Sequence, residues 1–213
     1  MESTLQTEEI EIDIIHRHCH FPSSTIHEVI GKIGNLPSKI KPISNSMKIC
    51  GFATTVLSPP EDNLWIHRAI YQSKPGSILV VDVGSAYENG YWGEIMTHAA
   101  IQQGLKGLVI NGCVRDLESL LNLNFPIFTR GVCINSTDKN KALQGSINSP
   151  CRIGNTIVFP GDLILGDSDG VVVIPRSKIA QTANLAEQRE EKERLVISEI
   201  SQGKSTLDLY DLH

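Results

Sequence analysis

At 213 residues, with 40% hydrophobic residues and a formal charge of −5 at pH 7, the chain is long enough to bury one core and too acidic for a general nucleic-acid surface. No apolar run approaches the roughly 18–20 residues that cross a bilayer, and Glu8, Glu9, Glu11 and Asp13 are unlike a basic, apolar secretory leader. A cytoplasmic protein is expected, with small molecules or proteins as partners and neither nucleic acid nor membrane among them.

In chain order, residues 1–20 read as a polar helical lead-in, and Ser23-Ser24-Thr25 as the cap of a helix from about Ile26 to Ile33, stopped by Gly34-Asn35. Pro37 and Pro42 mark a loop, and Lys48 to Leu57 a strand broken by Pro59-Pro60. Asp62 caps a helix to about Ser73. Residues 77–83 form a buried strand, Gly84 to Tyr91 a loop, and Gly93 opens a helix carrying Ile95, Met96, Ala99 and Ala100 on its apolar face. Leu108-Val109-Ile110 is the next strand, followed by a short helix from Leu117 to Leu123 and a strand over 126–131. The rhythm is βαβ. From Cys151 onwards, segments 152–159, 162–165 and 171–174 predict a compact antiparallel set, and Ser177 begins a long charged helix to about Ser201. The whole reads as one domain over 1–213.

Five cysteines without a C-x-x-C pair indicate neither a disulfide framework nor a structural zinc site. Cys113 stands beside Arg115, but a nucleophilic thiol needs a histidine that the sequence does not place there. The run His16-Arg17-His18-Cys19-His20 resembles metal-binding composition, but only His16 and His20 share a helical face, no carboxylate partner is evident and the segment is near a terminus, so a metal site is not expected there. Asp167-Ser168-Asp169-Gly170 copies the start of a calcium loop without its bidentate glutamate, so a tight turn is expected.

Arg115-Asp116 falls where the Leu108 strand runs out, the place where open α/β layers put ligands. The bland reading is an ion pair, with Asp116 an ordinary N-cap for the helix at Leu117. The functional one has the carboxylate holding Mg²⁺ or Mn²⁺, which take one or two protein carboxylates and fill the rest of the shell with water and substrate oxygens. Arg115 would then grip a substrate carboxylate through its fork of N–H groups. Glu94 sits in the first turn of the preceding helix, where it either answers the helix dipole or orients a water as acid or base. The N–H groups of Ile95 and Met96 could receive an anionic substrate.

Taken together, Trp92-Gly93-Glu94-Ile95-Met96, the run Gly107 to Asp116, Phe125-Pro126-Ile127-Phe128-Thr129-Arg130-Gly131 and Pro160-Gly161-Asp162 through Pro175 resemble the RraA-like proteins. The ending Arg189-Glu190-Glu191-Lys192-Glu193, with Gly203 and Leu207-Asp208-Leu209-Tyr210, resembles them too. That family includes class II, metal-dependent 4-hydroxy-4-methyl-2-oxoglutarate aldolases, oxaloacetate decarboxylases and the regulator of ribonuclease E activity. The resemblance implies a swivelling β/β/α-type domain, an α-β-β-α sandwich, assembled as a homotrimer or a dimer of trimers with sites between subunits. It implies a divalent cation on Asp116, a substrate-binding Arg115, and substrate contacts from Gly93, Glu94, Ile95 and Met96. Glu94 replaces the aldolases' aspartate in the spacing acid, twenty residues, Arg-Asp. Glu191 or Glu193 matches a glutamate contributed by a neighbouring subunit, and Lys139 a lysine near the substrate.

The chemistry so implied is C–C cleavage of a 2-keto acid through a pyruvate enolate, by retro-aldol reaction or by decarboxylation of oxaloacetate. The alternative is a non-catalytic, protein-binding regulator of the ribonuclease E type. A menaquinone methyltransferase finds no support, because no Gly-rich strand-to-helix loop suited to a nucleotide cofactor is present.

Overall fold

The computed structural model describes residues 2–213, with side chains described from residue 9 onwards. Helix α1 (Glu2–His18) leads into α2 (Ser23–Val29), then strands β1 (Lys41–Pro42) and β2 (Ile49–Leu57), helix α3 (Leu64–Gln72) and β3 (Ile78–Asp82). Next come β4 (Gly90–Trp92), α4 (Glu94–Gln102), β5 (Gly107–Ile110), β6 (Cys113–Val114), α5 (Leu117–Leu123), β7 (Ile127–Thr129) and β8 (Gly131–Val132). The remainder is β9 (Ser146–Ile147), β10 (Cys151–Ile153), β11 (Thr156–Val158), β12 (Leu163–Asp167), β13 (Gly170–Ile174), the long α6 (Ile179–Ser201) and α7 (Thr206–Leu209).

The main sheet runs β1-β7-β5-β3-β2-β12-β13, with β9 beside β2. β2, β3, β5 and β7 are mutually parallel, as their helical crossovers require, while on the other side of β2 strand β12 runs antiparallel to it and β13 antiparallel to β12. Period-2 alternation sorts the side chains. Leu79, Val81, Leu108, Ile110 and Ile127 face a core shared with α3, α4 and α5, whereas Ile78, Val80, Val109, Phe128, Ile164 and Val173 face inward. Leu163, Leu165, Val172 and Ile174 pack outward against α2 and α6.

The sheet curls until its two wings meet. A Cβ at Gly166 of β12 would lie 3.0 Å from the ring of Phe128 on β7, so a glycine there lets the wings close. The hairpin β10–β11 packs Cys151, Ile153 and Val158 into the same interior. The layer order is therefore helices α3–α5, two β layers, and helices α1, α2 and α6: a mixed α/β fold with a nearly closed sheet, and the α-β-β-α order expected.

Several local expectations are corrected. Helix α2 begins at Ser23 itself with Pro22 at the N-cap, and no side chain caps it there. Ser23 instead donates its N–H (2.8 Å) and hydroxyl (2.7 Å) to Asp167. The helix ends at Val29 rather than Ile33, because Gly31 and Lys32 take positive φ. The antiparallel segments do not form one set: β12–β13 extends the main sheet and β10–β11 stands apart. Asp167 to Gly170 is the expected turn, its Asp167 carboxylate accepting the Asp169 N–H at 2.9 Å. His18 is buried with its Nδ1–H on the Ile14 carbonyl (2.7 Å), while His16 and His20 are exposed.

On α3, His67 is half-buried, and desolvation, helped by the charge of Lys139, lowers its pKa from 6.5. The folded state therefore binds fewer protons than the unfolded one below pH 6.5, and stability should fall as pH drops from 6.5 through the folded pKa. His67→Gln should flatten that limb of a Tm-versus-pH curve; an unchanged slope would count against the assignment.

Candidate active site

Beyond the carboxyl ends of the main strands lies a second, smaller parallel sheet, β4-β6-β8. Gly90 pairs with Cys113 and Trp92 with Val114, so the chains leaving β4 and β6 emerge side by side in one direction. What emerges is Gly93-Glu94 from one and Arg115-Asp116 from the other. Trp92 is fully buried, donating its indole N–H to Thr97 Oγ1 (2.7 Å), and that hydroxyl donates to Gly93 O (3.0 Å). The Arg115 N–H bonds Trp92 O at 2.8 Å. The two exits are thereby fixed against each other.

Asp116 occupies the N-cap position of α5 without acting as a cap, which corrects the bland reading. Its backbone is left-handed, φ 61° and ψ 39°, and its side chain makes no bond to α5. Such a conformation is uncommon outside glycine, though aspartate tolerates it better than most residues. The twist carries the carboxylate across to α4, where Oδ2 accepts the Glu94 N–H at 3.1 Å. Two glycines clear the space: a Cβ at Gly93 would fall 2.3 Å from Asp116 Oδ2, and one at Gly90 would fall 2.6 Å from Cys133 O and 3.0 Å from Arg115 Cβ.

Arg115 Nε lies 4.0 Å from Asp116 Oδ2, both side chains a little under half exposed. At that exposure solvent screens the pair, so its value lies in geometry rather than stability. Glu94, about half exposed, reaches within 4.0 Å of His98 Nε2 one turn along α4. The first bond of α4 is from the Thr97 N–H to Gly93 O, so the N–H groups of Ile95 and Met96 precede the helical ladder. Their side chains diverge: Ile95 is exposed, whereas Met96 is buried with its sulfur 3.5 Å from Asn63 Nδ2. Met96 can therefore offer a ligand its backbone only.

The structure thus brings together Gly93, Glu94, Arg115 and Asp116. It places Lys139, Glu191 and Glu193 elsewhere in the protomer. Lys139 stands exposed near His67, in a loop whose neighbouring Asn140 N–H bonds Asp62 Oδ2 at 2.5 Å. On α6, Glu193 accepts from Arg189 (2.7 Å), which also pairs with Glu28 of α2, and Glu191 pairs with Arg194 at 2.6 Å. Cys113 is buried and desolvation raises its pKa, so it stays a thiol. His98, one turn along α4, faces Glu94.

No group of three or more His, Cys, Asp or Glu among the described residues could hold a metal ion. The donor set that does exist suits a hard cation that keeps most of its water. One Asp116 oxygen is engaged by the Glu94 N–H, and the other carries no hydrogen bond among the described residues. Sequence reasoning missed His98 as the neighbour of Glu94 and the chain Asp82, Asn111, Arg130 behind the small sheet. In that chain Asn111 donates to Asp82 (2.9 Å) and accepts from Arg130 Nε (2.7 Å). A polar residue closing each apolar strand, Asp82 after Val81 and Asn111 after Ile110, was the available signal.

Residues 23–173 match the family model described as RraA-like, Aldolase/RraA. A protein of Halalkalibacterium halodurans named "Putative 4-hydroxy-4-methyl-2-oxoglutarate aldolase" is 35% identical over 183 residues, covering 86% of this chain and 85% of that one. Among solved structures, an uncharacterized protein from Pseudomonas syringae pv. tomato superposes with a TM-score of 0.81 at 28% identity, covering 94% of each chain. The RNA-processing inhibitor RraA from Thermus thermophilis superposes at 0.65 and 23% identity, over 72% of this chain and 92% of that one, a likeness of fold alone. No helix among the described residues is long and apolar enough to cross a membrane.

Proposed function

The chain belongs to the RraA-like, aldolase/RraA family, and on that premise we propose that it is a divalent-metal-dependent lyase cleaving a C–C bond of a small 2-keto acid to release pyruvate. One observation carries the reading: the Asp116 carboxylate is turned away from its own helix and set beside Arg115 at the start of α4.

Arg115 binds the substrate carboxylate through its terminal N–H groups and stabilises the negative charge that develops on the keto oxygen as the C3–C4 bond breaks. The N–H groups of Ile95 and Met96 at the helix start add to the same anion-binding surface, with Gly93 leaving the approach open. Asp116, with its uncommitted oxygen, would hold Mg²⁺ or Mn²⁺, which supplies Lewis-acid stabilisation of that developing charge. For a 4-hydroxy-2-keto diacid the C4 hydroxyl proton has to leave, and Glu94 takes it through a water. For oxaloacetate no such base is needed, since carbon dioxide departs instead; in both reactions the enolate left behind takes a proton at C3 from the water held by Glu94 and leaves as pyruvate. In a homotrimer or dimer of trimers, Glu191 or Glu193 from a neighbouring subunit would complete the proton path, with Lys139 matching a family lysine near the substrate.

Purified protein incubated with 4-hydroxy-4-methyl-2-oxoglutarate and with oxaloacetate should release pyruvate in the presence of Mg²⁺ or Mn²⁺ and none with EDTA. Absence of pyruvate from both substrates, together with capture of a ribonuclease of the E type, would replace this reading with that of a protein-binding regulator.

A further inference from the structure

Between the β3–β4 loop and the small sheet opens a cavity of about 550 Å³, within the range of small-molecule sites, that neither Arg115 nor Asp116 lines. Arg130 and Tyr87 form its inner part with the buried Cys113, and Lys39, Glu61 and Glu88 are exposed around it.

Arg130 is held on two sides. Its Nε donates to Asn111 Oδ1 at 2.7 Å, with Asn111 itself anchored on Asp82, and its guanidinium lies 3.9 Å from the centre of the Tyr87 ring. No carboxylate pairs with it, and its two terminal nitrogens have no acceptor among the described residues. Nε being engaged, the paired N–H groups of those nitrogens make a forked receptor, already desolvated on the Tyr87 side. Glu61 is fixed as well, with φ 62° and its N–H on the Tyr91 hydroxyl at 2.8 Å. Lys39, Glu61, Glu88 and Arg130 line the cavity without forming an ion pair among themselves within 4.0 Å.

We propose that this cavity is a second ligand site, which takes a small monocarboxylate bearing a hydroxyl or amino group, its carboxylate on Arg130 and its donor toward Glu61 and Glu88. The charge count selects the class. Lys39 and Arg130 face Glu61 and Glu88 across the cavity, and the Asp82 carboxylate stands behind Arg130 through Asn111, so a dianion such as phosphate or a dicarboxylate would face uncompensated repulsion from the carboxylates. A monocarboxylate with a hydrogen-bond donor, anionic as in glycerate or zwitterionic as in serine, satisfies both signs.

The site is independent of the proposed chemistry, and the test keeps them apart. Full-length protein is titrated with glycerate, L-serine, phosphate and succinate by calorimetry, following the Arg130 Nε–H signal in a ¹H–¹⁵N spectrum of the unaltered protein. Glycerate or serine should bind saturably and move that signal, with phosphate and succinate at least tenfold weaker. Arg130→Gln should weaken binding about tenfold or more, while Asp116→Ala should leave it unchanged. A still Arg130 signal at millimolar glycerate and serine would overturn the proposal, as would phosphate binding equally well.

Discussion

Asp116→Ala should leave no measurable metal-dependent pyruvate release, while Asp116→Asn should fold normally and lose activity by about a hundredfold or more. The pair separates charge from shape. Asparagine tolerates the left-handed backbone at 116 and keeps an oxygen able to accept the Glu94 N–H, so the turn into α5 survives. What it removes is the negative charge beside Arg115. Alanine removes the charge and places a less tolerant residue at φ 61°, so a loss of Tm is expected only there. Pyruvate followed by a coupled dehydrogenase, alongside thermal melts of both variants, reads the two effects independently. Near-full turnover in the asparagine variant would end the assignment of Asp116.

Gly93→Ala should cost on the order of a hundredfold in rate with Tm close to that of the unaltered protein, since a displacement of about 1 Å at a catalytic group suffices for such a loss. The added Cβ would lie 2.3 Å from Asp116 Oδ2 and 3.3 Å from Arg115 Cγ, so the carboxylate has to swing away. The backbone does not object: φ is −152° at Gly93, extended geometry open to any residue. This differs from Gly90, where the clash includes the Cys133 carbonyl and the fold itself would suffer. Full turnover in the alanine variant would show that the carboxylate need not stay at the start of α4.

Much of the frame was legible because its elements are long. The nine residues of β2 and the apolar run 78–82 carry an alternation or a continuous apolar signal, and the helices between them supply the crossovers that make the strands parallel. The small sheet was illegible for the opposite reason. β6 and β8 are two residues each and β4 three, too short for any period, and Gly90 to Trp92 read as the end of a loop and the approach to a helix. Arg115-Asp116 was found as a motif, but its local signal pointed to a helix cap. Only the positive φ, set by packing against β4 and α4, turns the carboxylate elsewhere. The curl that joins Phe128 to Gly166 depends on contacts 38 positions apart, beyond the reach of any window along the chain.

The three-strand ledge formed by β4, β6 and β8 has a bearing on how such a protein diversifies. The residues at its lip hang from strands so short that exchanging them leaves the hydrogen-bond ladders of the main sheet intact. A lineage can therefore discard its chemistry by altering a handful of positions while the outer shape persists for other uses. A relative named a putative aldolase and a structure named an inhibitor of RNA processing are both similar to this one scaffold.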